Sequence, residues 1–255
     1  MLQGTGIHRK IQLSKAVLLR DALTGEPVSS GIWIRSLSGG KVEKRNGGYV
    51  LFINTTDTEI EFEVESPIYQ SRKICVKSDQ GAELEDVLMY TSPAYPRRMG
   101  YTAVKGRAIP GSILRFHTED DKSVCRLFDG YKKGEEQISF YMKNKTAGAL
   151  WYIRKKKETS GTYFTLKNSE EDTELYRLRE PLKQDFQIKD TVIYPAHETI
   201  EDENGEFYVL FRELPQEKCL MYYAYGKAGE EKQGSIEIVQ SKENELSTIC
   251  IWEED

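Results

Sequence analysis

A strict alternation of charged and apolar residues over positions 59–65 constrains the fold more than any other stretch of this chain. Four glutamates occupy the odd positions, and Ile60, Phe62 and Val64 lie between them. Successive side chains of a β-strand point to opposite faces, so a period of two with one charged face predicts a sheet that is solvated on one side only. The chain is therefore expected to form a layered β-structure.

Turn residues and further short apolar runs surround this alternation. Gly25 and Pro27 favour a turn over positions 24–27, because glycine relieves steric limits and proline fixes φ. Asn46-Gly47 lies between apolar runs, which is the strongest short signal for a hairpin. Positions 31–34 and 49–53 are predicted strands. Tyr, Phe, Val and Ile dominate these runs, and such side chains pack well on a pleated surface.

Several of these segments together resemble a known family. The segments are Leu19-Arg20-Asp21, Thr24-Gly25-Glu26-Pro27-Val28, Gly31-Ile32-Trp33-Ile34, Asn46-Gly47-Gly48-Tyr49-Val50-Leu51 and Ser66-Pro67-Ile68-Tyr69. They resemble the carboxypeptidase regulatory-like family, whose members are small transthyretin-like β-sandwiches. Pro67-Ile68-Tyr69 replaces the Gly-Tyr that usually ends the pattern. The resemblance covers residues 15–78 and implies a binding or spacer module, since the fold itself does not specify a function.

The remaining residues predict a second β-domain. Residues 1–14 are predicted to form an N-terminal arm, and Pro93 and Pro96 favour an extended connector over residues 79–100. Residues 101–255 contain short apolar runs separated by Gly, Asp and Asn, a spacing typical of a larger sandwich or barrel. Residues 203–211 repeat the turn-then-strand pattern of residues 45–52, which suggests a diverged copy. We therefore predict an all-β protein of two β-sandwich domains, the first transthyretin- or Ig-like.

Composition and charge exclude several classes of partner. The 255 residues include 36 basic and 41 acidic ones, mixed along the chain, for a net charge of -5. Such a mixture gives no broad basic face, so we expect no nucleic-acid partner. No apolar run approaches the ~20 residues that span a bilayer, and residues 1–15 lack the apolar core of a signal peptide. A cytoplasmic location is therefore expected.

The cysteines and histidines do not form a metal-binding pattern. Cys75, Cys125, Cys219 and Cys250 are far apart in the sequence, whereas zinc ligands usually include a closely spaced pair. Each cysteine lies in or beside an apolar run and is expected to be a buried reduced thiol. The histidines are His8, His117 and His197.

Residues 119–121 form an acidic run that follows His117. A solvated hairpin tip is favoured over a metal site there, because Asp is common in turns. We expect no metal and no cofactor. Neither a nucleophile elbow nor a phosphate-binding loop is present, so we expect no catalytic residues and no enzymatic activity. A carboxylate-based hydrolase is the weakest alternative.

One basic cluster follows two aromatic residues and suggests a ligand site. Trp151 and Tyr152 could stack on a ligand, with Arg154 contributing positive charge. That use requires the rings to face solvent, and it would make the chain a carbohydrate- or cell-surface-binding module. The favoured alternative is that residues 154–157 form a charged hairpin loop, because runs of like charge are normally solvated.

A cluster of tyrosines and arginines in the connector is the predicted docking surface. It consists of Tyr90, Tyr95, Arg97, Arg98 and Tyr101, and both residue types are enriched at protein interfaces. The alternative is that these side chains pack the seam between the domains.

Residues 88–106 add a second resemblance. The segments Ser92-Pro93-Ala94-Tyr95-Pro96 and Gly100-Tyr101-Thr102-Ala103-Val104-Lys105-Gly106 are similar to those of regulatory-like proteins that accompany bacterial phage-tail-like contractile particles. This resemblance implies a non-catalytic structural or adaptor protein, an accessory or baseplate-associated subunit of a contractile injection system. Its partners would be protein subunits of a larger assembly, and a homo-oligomer is a further option.

Overall fold

The regular secondary structure of the described residues is almost entirely β-strand. The computed structural model describes residues 11–78, 84–109, 111–141, 150–167, 175–212, 214, 216–226 and 231–246. These residues form strands β1 to β18 and two short 3-10 turns, so the all-β prediction is confirmed. Over the same residues there is no helix of the length and apolar character needed to cross a membrane. His8, Cys250 and most of the predicted N-terminal arm lie outside the described residues.

The chain divides into two compact units. The first comprises Met1–Arg20, Pro27–Pro67 and Ser71–Leu88, and the second comprises Asp21–Glu26, Ile68–Gln70 and Met89–Asp255. The first unit has two sheets, with strand orders β3-β4-β1-β7 and β2-β5-β6. Its strands are β1 (Leu13–Asp21), β2 (Trp33–Ser36), β3 (Lys41–Lys44), β4 (Tyr49–Ile53), β5 (Glu59–Glu65), β6 (Arg72–Lys77) and β7 (Leu84–Met89), with a 3-10 turn at Asn46–Gly48.

The alternation over residues 59–65 behaves as predicted. Ile60, Phe62 and Val64 of β5 are fully buried, and the Phe62 ring lies 4.8 Å from that of Phe52 in the other sheet. The two sheets of the first unit therefore pack face to face. On the opposite side of β5 the glutamates meet cations of neighbouring strands: Glu63 forms an ion pair with Arg35 of β2.

A glycine at the predicted turn adopts the positive φ that favours this residue. Gly48 has a φ of 81°, and a Cβ added there would lie 3.0 Å from the carbonyl oxygen of Leu19. Glycine adopts positive φ without steric cost and allows this close approach. The Asn46-Gly47 signal therefore marks a tight turn that leads into β4.

Two details of the first unit differ from expectation. The region predicted as a connector contains β7, which lies beside β1 and buries Val87 and Met89. The alternation in β7 is too short to stand out against the neighbouring prolines. In addition, Cys75 is exposed rather than buried, because the period of β6 directs Ile74 and Val76 into the core instead.

The second unit contains three sheets. Their strand orders are β12-β11-β14-β9-β16-β17, β15-β8-β18 and β10-β13. The strands are β8 (Thr102–Arg107), β9 (Ile113–Thr118), β10 (Gln137–Ser139), β11 (Leu150–Lys155), β12 (Thr162–Thr165), β13 (Leu175–Arg177), β14 (Thr191–Ile200), β15 (Glu206–Phe211), β16 (Lys218–Gly226), β17 (Lys232–Val239) and β18 (Glu243–Leu246), with a 3-10 turn at Ile188–Asp190. The predicted run over residues 124–128 forms only isolated bridges at Cys125 and Leu127.

One face of the six-stranded sheet carries both large cores of this unit. Near β9 it packs against the three-stranded sheet, where the ring centroids of Phe116 and Phe207 are 5.9 Å apart. Near β11 it packs against the two-stranded sheet, where Phe140 lies 4.9 Å from Trp151. This sheet-on-sheet packing leaves the other face of the six-stranded sheet for a different set of side chains.

The turn-then-strand pattern over residues 203–211 is present as a turn followed by β15. Gly205 has a φ of 74°, and Asp202 accepts hydrogen bonds from the turn backbone. However, β15 lies at the edge of its sheet, whereas β4 has a neighbour on both sides. That the second unit is a copy of the first stays a prediction.

Candidate functional site

A cluster of aromatic and charged side chains occupies the second face of the six-stranded sheet. His117 of β9 is buried, and its ring is stacked on Tyr152 of β11 with centroids 3.7 Å apart. The ring of Tyr222, on the adjacent strand β16, also stacks with the His117 ring, with centroids 5.4 Å apart. The Nδ1 atom of His117 lies 2.8 Å from the hydroxyl oxygen of Tyr163. We call His117, Glu119, Tyr152, Arg154, Tyr163 and Tyr222 the His117 cluster.

An ion pair closes one end of the His117 cluster. Arg154 Nε donates to Glu119 Oε1 at 2.7 Å, and the Arg154 Nη2 donates to the second carboxylate oxygen. His117 Nε2 lies 3.7 Å from Glu119 Oε1. Burial alone would raise the pKa of Glu119, but the nearby His117 ring and the hydrogen-bonded Arg154 guanidinium outweigh it and hold this pKa at about 2. Glu119 is therefore a carboxylate at all ordinary pH values.

Burial also shifts the other titratable groups of the cluster. It lowers the pKa of His117, and the neighbouring Glu119 carboxylate only partly opposes this. Burial raises the pKa of Tyr152 to about 12, with the charge on Glu119 adding to the effect. The His117 imidazole and the Tyr152 phenol are thus neutral near pH 7. A stack of neutral rings beside the Glu119–Arg154 ion pair is an arrangement that stabilises the fold.

The rings predicted to stack on a ligand are not available to solvent. Trp151 and Tyr152 are each 3% exposed, the first in the core under β10–β13 and the second in the His117 cluster. The stacking prediction required exposed rings, so it is corrected here. Arg154 is paired with Glu119, and of the basic run only Lys156 and Lys157 lie in the turn between β11 and β12.

The predicted docking residues do not form one surface, because they contact different partners. Tyr90 is 5% exposed and donates its hydroxyl hydrogen to Glu198. Tyr95 donates to Asp21 at 2.6 Å, and Tyr101 packs beside a small buried cluster. Arg97 forms an ion pair with Glu243, and its guanidinium lies 5.3 Å from the centre of the Tyr208 ring.

Arg97 and Arg98 are the two exposed members of the five docking residues. The tyrosines are thus used largely inside the second unit. Their role in docking stays a prediction.

Asp21 is the centre of a small polar network that explains two of these tyrosines. Its Oδ2 accepts hydrogen bonds from the hydroxyls of Tyr69 and Tyr95, and its Oδ1 accepts from the backbone amides of Leu23 and Thr24. Asp21 is 4% exposed. Four donors satisfy this buried carboxylate, as a buried charge requires.

The acidic run after His117 forms a turn, as expected, but its first residue is not solvated. Asp120 accepts hydrogen bonds from the amides of Lys122 and Ser123, whereas Glu119 turns back into the His117 cluster. His197 faces the opposite side of the sheet, against Phe211, and burial lowers its pKa to about 4. No group of three potential metal ligands comes together within the described residues.

A second set of side chains forms an exposed apolar surface. Residues 126–128 pair with β10, because Leu127 is opposite Phe140 and the Phe128 amide donates to the carbonyl of Ser139. β10 in turn pairs with β13, with Ser139 opposite Leu175. Leu127, Ile138 and Phe140 point into the core, so their neighbours point outwards. We call the outward residues the Phe128 face: Arg126, Phe128, Gln137, Ser139, Tyr141, Leu175 and Arg177.

The Phe128 face exposes large side chains side by side. Phe128 is 47% exposed, Tyr141 59% and Leu175 46%, and all three surround the small side chain of Ser139. Arg126 and Arg177 lie at opposite corners and are exposed. The sequence pattern alone does not reveal this surface. Apolar residues occur at both inward-facing and outward-facing positions of these short segments. The outward-facing ones can be recognised only when the side that faces the core is known.

Another exposed aromatic residue is less informative. Trp33 of β2 is 63% exposed. Its neighbours on that side of the sheet include Arg35, which is already paired with Glu63. A single exposed apolar side chain in a paired polar surface is ordinary and needs no partner.

Comparison with known proteins gives no family for this chain. No family model matches the sequence, and no curated protein matches it. Among solved structures, one titled "Anomalous substructure of Titin-A168169" is 10% identical and covers 94% of this chain and 98% of its own, with a TM-score of 0.14. The C-terminal domain of the AgI/II polypeptide BspA of Streptococcus agalactiae is also 10% identical, covers 91% and 80%, and has a TM-score of 0.14. Scores this low carry no argument about this chain.

Proposed function

We propose that the protein is a non-catalytic structural adaptor that acts through protein–protein contacts made by the Phe128 face. The observation that carries the proposal is the adjacency of three large exposed apolar side chains on one strand-built surface. Soluble proteins rarely expose contiguous apolar patches without using them, and such patches mark interaction sites.

The composition of the face supports the same function. Aromatic residues and arginine are enriched at protein interfaces, and aromatic anchors near the centre of a contact supply most of its energy. Phe128 and Tyr141 are the aromatic anchors, and Arg126 and Arg177 form a polar rim. The Phe128 amide donates to the Ser139 carbonyl and the Tyr141 amide donates to the Arg126 carbonyl. These backbone hydrogen bonds hold both anchors in place, so little backbone conformational entropy is lost when a partner binds.

The two alternative functions have less support. A carbohydrate-binding module needs open aromatic rings, and Trp151 and Tyr152 are buried. A carboxylate-based hydrolase needs a carboxyl group that can exchange a proton near the working pH. Glu119, the most perturbed carboxylate, is instead bound to Arg154 and has a pKa of about 2.

The finer parts of the proposal rest on the two sequence resemblances. The seven strands of the first unit, in sheets of four and three, suit a regulatory-like module. Residues 88–106 suggest an accessory or baseplate-associated subunit of a phage-tail-like contractile assembly. In that case the partners are protein subunits, and the protein works in the cytoplasm before entering a particle.

A comparative pull-down tests the proposal. The tagged wild-type protein and a Phe128→Ser/Tyr141→Ser variant are incubated with extract of the native cell, and bound proteins are quantified. We expect sheath, tube or baseplate-like proteins to be recovered by the wild type and reduced at least tenfold with the variant. Leu220→Ser is the matched control, since Leu220 is also 47% exposed. Equal recovery by the wild type and the double variant would refute a role for the face.

A further inference from the structure

The Phe128 face has a regular geometry that restricts what can bind to it. Its central row runs from Phe128, in the segment that is bridged to β10, through Ser139 of β10 to Leu175 of β13. Arg126 is opposite Tyr141 on one side of this row, and Arg177 is opposite Gln137 on the other. The small Ser139 side chain thus leaves a shallow depression that is bordered by apolar side chains. The guanidinium groups of Arg126 and Arg177 lie at two diagonally opposite corners of the face.

The charge of this surface is opposite to that of the protein. The chain carries a net charge of -5, yet neither Arg126 nor Arg177 has an ion pair with a carboxylate in the described part of the chain. Nearby acids serve other groups: Asp129 accepts from the amide of Gly130, and Asp185 pairs with Lys132. The two guanidinium groups therefore keep their donors for carboxylates of another molecule, which they bind in bidentate geometry.

The spacing of the two arginines specifies the partner further. Across the surface the Cα atoms of Arg126 and Arg177 are two inter-strand spacings apart, and in the perpendicular direction they are four residues apart. With ordinary sheet spacings their separation is about 16 Å. In an extended chain, residues i and i+4 lie about 13 Å apart and point to the same side as residue i+2. Flexible arginine side chains cover the remaining distance. A segment with carboxylates at i and i+4 and an apolar side chain at i+2 places the apolar group over Ser139.

A second copy of this protein does not fit this pattern as well. Its most acidic exposed strand, β5, presents glutamates at every second position and directs all its apolar side chains into the core. Glu63 on that face is also already paired with Arg35. It therefore lacks the apolar group that the centre of the Phe128 face would accept.

We propose that the Phe128 face binds an extended acidic segment of a partner protein, with an apolar residue centred between two carboxylates. This inference rests on the proposed adaptor function and adds the chemistry of the partner. Apolar burial over Ser139 supplies affinity, and the two arginines fix the orientation and the charge preference.

Synthetic peptides serve as probes in a direct binding test. An acetylated, amidated peptide with the core Glu-Thr-Phe-Thr-Glu is compared with the same peptide carrying Lys in place of both Glu residues. A third peptide carries Ala in place of Phe. Binding to the full chain is measured by NMR titration at two salt concentrations. The acidic peptide is expected to bind at least tenfold more tightly than either of the others, with perturbed resonances on the Phe128 face and weaker binding at high salt.

Charge-reversed protein variants complete the test. Arg126→Glu/Arg177→Glu is expected to lose at least tenfold in affinity for the acidic peptide and to gain affinity for the basic one. Lys122→Glu/Lys218→Glu is the control, because it makes the same change in net charge at exposed positions elsewhere. Equal binding of acidic and basic peptides by the wild type would overturn the inference but leave the adaptor function standing. If the double serine variant also retains its cellular partners, the adaptor function fails as well.

Discussion

The ion pair between Glu119 and Arg154 should stabilise the second unit measurably. Glu119→Gln keeps the shape of the side chain but leaves a cation that is only 16% exposed without its carboxylate. A fall in the pKa of Glu119 from 4.5 to about 2 corresponds to about 3 kcal/mol, since a tenfold change in proton affinity is about 1.4 kcal/mol. Solvent reaches part of the pair and screens it, so we expect a loss of about 2 kcal/mol in the free energy of unfolding.

Urea unfolding of the full chain at pH 7 measures this loss, and a double-mutant cycle with Arg154→Met isolates the interaction between the two side chains. Glu63→Gln is the control, because its partner Arg35 is 69% exposed, and a pair on the surface should change stability far less than the Glu119 pair does. In a thermal scan the Glu119→Gln variant should melt about 4–8 °C lower, given about 2–4 °C per kcal/mol for a chain of this size.

The pH dependence of the same difference follows from the direction of the pKa shift. A carboxyl group whose pKa is lowered on folding contributes its stability above the pKa of the unfolded chain and loses it as the pH falls through the folded value. For Glu119 the stability difference between wild type and Glu119→Gln should be constant above pH 4.5 and shrink progressively towards pH 2. A difference below about 0.5 kcal/mol at pH 7 would refute the stabilising role of the pair.

Three further predictions concern other parts of the molecule. Asp21→Ala should cost about 3–4 kcal/mol in urea unfolding, because it leaves buried donors such as the Tyr69 hydroxyl without an acceptor; a cost near zero would contradict the network. Gly106→Ala should destabilise by more than about 3 kcal/mol in the same assay, since the new Cβ would lie 2.2 Å from the carbonyl oxygen of Leu246. Cys75 should react with an alkylating reagent in the folded protein, whereas buried Cys125 stays protected. Partial desolvation and nearby glutamates raise the pKa of the Cys75 thiol, so its alkylation rate should keep rising through the alkaline range.

The sequence predicts those parts of the fold that depend on local periodicity. The glutamates of β5 and the glycine at position 48 identify a strand and a tight turn, because the side-chain period and positive φ are properties of a few consecutive residues. β7 was placed in a connector, since its burial becomes clear only when it pairs with β1, more than 60 positions away. Sheet order is a long-range property that short patterns do not encode.

The candidate sites were harder to predict for the same reason. Glu119 and Arg154 are 35 positions apart and meet only because β9 and β11 both flank β14. Their separate sequence contexts, an acidic run and a basic run, both indicate solvated turns. The exposed position of Phe128 depends on Leu127 being the residue that faces the core. An apolar pair in a short strand does not reveal which member is buried.

The contrasting environments of two arginines on neighbouring sheets connect structure with function. Arg154 lies in the His117 cluster, where the Glu119 carboxylate accepts from Nε and Nη2 and backbone carbonyls within residues 155–158 accept from Nη1. Arg126 has the same donors but lies beside exposed aromatic side chains, with no carboxylate partner in the described part of the chain. An ion pair of a guanidinium on an open surface adds little to the stability of the fold. The same guanidinium can contribute much more to binding when a partner's carboxylate pairs with it away from solvent. The His117 cluster therefore helps to hold the six-stranded sheet together. The Phe128 face instead presents exposed apolar side chains beside arginines, and the proposed partner would bury the former and pair with the latter.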